Sequence, residues 1–116
     1  MAIWTVHLPA AAEADYREIL RWTKERFGPA QAHVYADTLS SALIDLTAGR
    51  AISGTRERPE IGANIRTLHV GRQGHKGRHF VLYRASQLPQ QNVIDVLRLL
   101  HDGMDLARHL PPGERN

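Results

Sequence analysis

No cysteine occurs among the 116 residues, which excludes disulfides and thiolate metal sites alike. No apolar run approaches the roughly 18 residues that a membrane span needs. The N-terminus has no basic region leading into an apolar core, so no secretory signal is expected. Repeats, low-complexity tracts and interdomain linkers are missing too. At this length there is room for one hydrophobic core and not for two. What is left is a globular domain of ordinary apolar content, 42%, with a cytoplasmic address as the default.

Charge is unevenly spread. Residues 1–49 carry four basic and six acidic side chains, a net −2. Residues 50–85 carry eight basic ones (Arg50, Arg56, Arg58, Arg66, Arg72, Lys76, Arg78, Arg84) against Glu57 and Glu60, a net +6, and residues 86–116 return to −1. A basic middle segment suits phosphates or an acidic protein surface, and equally a solvated sheet edge.

Ile3 to His7 reads as a short strand, with Pro9 after it. From Ala10 to Phe27 the side chains of Ala12, Tyr16, Ile19, Thr23 and Phe27 fall on one helical stripe. Gly28 suits the end of that helix and Pro29 the first turn of the next. The second helix is expected to about Thr47, its stripe formed by Ala32, Tyr35, Leu39, Ala42, Leu43 and Leu46. So short a connection makes the two an antiparallel αα-hairpin. Residues 48–62 show no period and read as a loop. Three strands follow, at 64–70, 78–85 and 92–100, with turn-rich connections at 71–77 and 86–91. The last two are apolar on both faces, which places them centrally and covered on both sides. The order β-α-α-β-β-β predicts an α+β fold, a helical hairpin on a mostly antiparallel four-stranded sheet, over residues 1–110, with 111–116 a frayed tail.

Several residues invite chemistry. Arg66, Arg84 and Arg98 lie in three different strands and could converge on one sheet surface, where guanidiniums suit bidentate contact with phosphate or carboxylate. Each could also be solvated at a strand end, or paired with Asp95, Asp102 or Asp105. Arg72, Lys76 and Arg78 sit in a glycine-punctuated loop and read as a flexible basic tip. His75 and His79 are four apart, and His101, Asp105 and His109 recur every four residues, but the intervening glycines break any shared helical face. No metal site is expected. Trp22 lies about 100° from the centre of its helical stripe. It is a candidate anchor for a partner, or a filler of the seam between the helices. Ile44 reads as an isolated exposed apolar residue.

The chain resembles the ParE branch of the RelE/ParE family of bacterial toxins, the plasmid-stabilisation type. The resemblance rests on the strand His79-Phe80-Val81-Leu82-Tyr83-Arg84, the second strand Val93-Ile94-Asp95-Val96-Leu97-Arg98, and the ending with Leu100-His101, Met104-Asp105 and Leu110. It spans Ile3 to Leu110 and implies the same β-α-α-β-β-β fold. It further implies a type II toxin that binds and inhibits DNA gyrase, with no cofactor and no catalysis of its own. A ParD-like antitoxin would neutralise it in a hetero-oligomer, and DNA would be met only through antitoxin or gyrase. The residues implied for target contact are Arg66, Arg72, Arg84, Arg98, His101, Asp105 and Arg108, and for antitoxin contact Trp22 and Tyr83. The alternative branch cleaves mRNA on the ribosome. Here that would use Arg66, Arg84 and His101, yet the tyrosine that branch carries near its C-terminus has no counterpart after Tyr83. A non-toxic, antitoxin-binding relic is the third possibility.

Overall fold

The computed structural model describes residues 3–104. Its elements are β1 (Thr5–His7), α1 (Ala10–Phe27), α2 (Pro29–Asp45), a 3-10 turn (Leu46–Ala48), β2 (Thr55–Glu57), β3 (Ile65–His69), β4 (His79–Leu88) and β5 (Gln91–His101). The helical hairpin is as expected, and the hinge explains its sharpness. Gly28 takes φ 91, open to a residue without Cβ, and Pro29 starts α2 where a missing N–H costs nothing. The Tyr16 hydroxyl bonds Ser40 Oγ at 3.0 Å across the two helices.

The sheet has five strands, not four, in the order β1-β5-β4-β3-β2. The additional strand, β2, lies in the segment expected to be loop and pairs antiparallel with β3 from Thr55↔Leu68 to Glu57↔Arg66. Three residues with only one β-branched side chain give no alternation to detect. All pairings are antiparallel except β1 with β5, which is parallel. The β4–β5 hairpin is longer than its composition suggests, because only Pro89 and Gln90 separate the strands. The expected connection at 86–91 is mostly strand.

The helices cover one face of the sheet. Leu39, Ala42 and Leu46 pack there against Leu68, Val81, Tyr83, Ile94, Val96 and Leu99. On the opposite face Ile65, Leu82, Leu97 and Leu100 cluster with Ile61 of the preceding loop. The central strands are thus apolar on both sides, as their sequence requires. Phe27 leaves the stripe assigned to it and is 63% exposed. Among the described residues no helix is long and apolar enough to cross a membrane.

The β4–β5 ladder is interrupted once. Leu82 pairs with Arg98 but Tyr83 with Val96, so Leu97 is an extra residue and β5 bulges there. β1 covers β5 only from Val93 to Asp95, which leaves the same edge open beyond. Asp15 of α1 fills that place. It accepts Leu99 N–H at 3.0 Å and Arg98 Nε and Nη2 at 2.6 and 2.8 Å.

Candidate functional site

The connection between β3 and β4 folds back onto α2 at Tyr35. It can do so because residue 77 is glycine: a Cβ there would lie 2.6 Å from Val70 Cγ2 and 2.9 Å from the Tyr35 hydroxyl. That hydroxyl accepts the Arg78 backbone N–H at 3.1 Å and meets His79 Nδ1 at 2.6 Å. Burial, then the neighbouring His101, holds His79 neutral, its pKa lowered to about 4. Nδ1 of a neutral ring accepts the hydrogen bond donated by the tyrosine hydroxyl, and the ring's own hydrogen then sits on Nε2.

His79 stands opposite His101 across the hairpin, with ring centroids 5.5 Å apart and edge to face. His101 Nδ1 accepts Gly103 N–H at 3.1 Å. On the next strand His69 takes Gly71 N–H at Nδ1 and meets Asp102 Oδ2 with Nε2, each at 3.0 Å. Arg78 grips both oxygens of the same carboxylate, Nε at 3.1 and 3.0 Å. Arg78 and then His69 hold the Asp102 carboxyl well below the usual carboxylate range. Six titratable side chains from α2 and three strand ends thus form one hydrogen-bonded and ring-stacked cluster.

The cluster floors one end of a groove of ≈ 540 Å³, whose other end is lined by Trp22, Phe27 and Val34. These three are 50%, 63% and 58% exposed. Trp22 and Phe27 pack edge to face at 5.9 Å, and the Arg26 guanidinium lies 5.2 Å from the Trp22 ring centre. Trp22 does not fill the interhelical seam. A second cleft of ≈ 550 Å³ lies at the far end of the sheet, around Arg50, Glu57, Asn64 and Arg66.

The three sheet arginines are not brought together. Arg66 pairs across from Tyr83 and shares its face, while Arg84, the next residue of β4, points the other way. Arg66 is tied to Glu57 and to Thr55 Oγ1, both at 3.1 Å. Arg98 is bound to Asp15. Arg84 stands across from Asp95. Arg72 is no flexible tip, since it bridges Asp45 at the end of α2 to the Ser53 carbonyl at 2.9 Å. Tyr83 is fully buried and its hydroxyl donates to the Arg50 carbonyl at 2.6 Å. It is core and offers a partner no surface. Of the expected residues, His101 and Trp22 share the groove. Asp105 and Arg108, the frayed tail at 111–116, and His109 lie outside the described residues. Among the described residues no group of three or more histidines and carboxylates is arranged to hold a metal.

Sequence reasoning met Tyr35, Arg78, His79 and Asp102 only singly, as a helix-stripe residue, a loop cation, half of a rejected metal pair and a possible arginine partner, and did not join them. A signal existed for the histidines. A two-residue turn at Pro89–Gln90 would set His79 within one residue of His101, and the bulge completes the match.

Residues 6–106 match the family model described as the ParE toxin of type II toxin–antitoxin systems, parDE. Two proteins named Toxin ParE1, from Mycobacterium tuberculosis strains CDC 1551 / Oshkosh and ATCC 25618 / H37Rv, are each 35% identical over 104 residues. The match covers 89% of this chain and 94% of theirs. A Toxin ParE1 from Caulobacter vibrioides is 31% identical over the same shares.

Proposed function

This chain belongs to the ParE family of toxins of type II toxin–antitoxin systems, and from that premise we propose that it arrests growth by binding DNA gyrase in the cytoplasm. A ParD-like antitoxin neutralises it in a hetero-oligomer, and contact with DNA is made only through gyrase or the antitoxin. The chain acts as a binding protein, without a cofactor, through one domain at 1–110. The residues proposed for target contact are Arg66, Arg72, Arg84, Arg98, His101, Asp105 and Arg108, spread over both faces of the sheet and not gathered on one surface.

The observation that favours inhibition over mRNA cleavage is the dispersal of the residues cleavage would need. Arg66 and Arg84 face opposite sides of the sheet. His101 lies across from His79, five positions along β4 from Arg84, or about 17 Å at strand rise. General acid, general base and phosphate clamp must all reach one phosphodiester, and these three cannot.

The test is a supercoiling assay with purified gyrase, relaxed plasmid, ATP and this protein freed of antitoxin. Loss of supercoiling with accumulation of linear, cleaved plasmid is expected. Undisturbed supercoiling by the folded protein, together with cleavage of ribosome-bound mRNA, would overturn the proposal.

A further inference from the structure

The cleft of ≈ 550 Å³ at the far end of the sheet has the volume of a small-ligand site. Two guanidiniums line it, Arg50 and Arg66, against one carboxylate, Glu57. The Arg66 side chain is only 17% exposed and carries five N–H donors. Nη1 donates to Glu57 and Nη2 to Thr55 Oγ1, each at 3.1 Å. Nε is buried and, among the described residues, donates to no acceptor. The Tyr83 hydroxyl adjoins the guanidinium and spends its own proton on the Arg50 carbonyl. A buried donor of a charged group is costly without an acceptor, and a ligand can supply one. Glu57 holds its place weakly. Its side chain is 77% exposed on the edge strand β2 and meets Arg66 through one oxygen, a geometry that contributes little.

We propose that this cleft binds a phosphate group carrying two negative charges, free or as a monoester, which displaces Glu57 and accepts from the Nε–Nη edge of Arg66 and from Arg50. The site goes beyond gyrase binding and does not rest on it. Charge selects the class. A dianion outcompetes the single charge of Glu57, whereas a phosphodiester or another carboxylate brings no such advantage. Shape agrees, since tetrahedral oxygens can be met from several directions at once. Arg66 comes from β3, Arg50 from the segment after α2, and the Asn64 amide from the turn before β3. That turn is fixed in place: Asn64 takes φ 61, and its carbonyl accepts Ala85 N–H at 3.2 Å. Among the described residues the lining carries no aromatic ring. A nucleobase would gain no stacking there, so any organic remainder of the ligand is not a base.

Arg66 supplies the readout. Burial slows exchange of its Nε–H with water and gives that group a resolved nitrogen–proton NMR signal, identified by its loss in Arg66→Lys. Inorganic phosphate and glycerol 3-phosphate are titrated at constant ionic strength and slightly alkaline pH, where the dianion prevails. Both should shift the signal saturably. Dimethyl phosphate and acetate, with one charge each, should bind about tenfold more weakly or worse. Arg50→Ala should weaken phosphate binding about tenfold, and Glu57→Gln should tighten it about threefold. Both side chains are exposed, so folding is preserved and can be checked by circular dichroism. Tighter binding of glycerol 3-phosphate than of phosphate identifies a monoester as the ligand, and equal binding identifies the free ion. A signal that does not saturate, dimethyl phosphate or acetate binding as tightly as phosphate, or no tightening in Glu57→Gln would overturn the proposal.

Discussion

Asp15 is the residue on which most depends per atom. It satisfies the Leu99 N–H on the edge of β5 that β1 does not reach and neutralises Arg98, and both members of the ion pair are largely buried. Asp15→Ala leaves a guanidinium and an amide without their acceptor, and breaking such a pair costs about 3 kcal/mol. Urea denaturation should show a lower midpoint at an unchanged slope. Arg98→Ala is expected to act in the same direction, so any loss of toxicity in that variant must be corrected for loss of folded protein. His79 gives a pH signature. The unfolded chain binds its proton near 6.5 and the folded one only at about 4. Between those values the unfolded state holds more protons, so stability falls as pH drops through that window and levels off below it. The ring is partly exposed, and with that screening the loss is roughly 1–2 kcal/mol. Asp102 acts in the same direction but in a lower window: its lowered pKa stabilises the fold above the ordinary carboxylate range, and that contribution is lost as pH falls below it. Urea midpoints measured from pH 7 to pH 4 should fall for the natural protein and flatten for His79→Gln. An equal slope in both would assign the effect to another group.

At the scale of elements, Arg72 joins three pieces of chain: the end of α2, the loop before β2 and the β3–β4 connection. Arg72→Ala should cost about 1 kcal/mol and speed amide exchange in residues 49–57 while leaving β4 and β5 protected. Uniform acceleration across the sheet would refute this local role. The helices were legible because each signal agreed with the next, with stripes at helical spacing and Gly28–Pro29 between them. β4 and β5 were legible from their apolar runs, though not their full length, since Ser86, Gln87 and Asn92 look like turn residues and pair all the same. β2 was illegible, because its pairing is dictated by β3 and not by its own side chains. The site was legible only at its rims, in Trp22 and His101. Tyr35 joins it through a close approach at Gly77, and Asp102 through a carboxylate shared by Arg78 and His69. Neither relation leaves a trace in local spacing.

For the whole molecule, the +6 middle segment does not become a positive patch of that strength. Asp45 and Asp102, from outside the segment, are drawn onto Arg72 and Arg78, and Glu57 onto Arg66. Linear charge density is redistributed by folding, which is why it identified a tendency and not a surface. The proposed arrest of growth through gyrase makes a prediction at this scale. Induced cells should filament and switch on DNA-damage signalling while amino-acid incorporation continues through the first minutes; immediate cessation of incorporation would point to the ribosome instead. The strand order has one more consequence. Among the described strands β1 comes first in sequence yet pairs with β5, Thr5 finding its partner at Val93, and β5 comes after all the others. During synthesis the helical hairpin can form at once, yet the sheet it covers stays incomplete until β5 has emerged. Pairing over such a separation is slow, and domains tend to fold as units as the chain is delivered. A copy that has not yet made β5 therefore has an edge strand and two helices without the central strand that joins them, so the sheet closes late by the order of its strands.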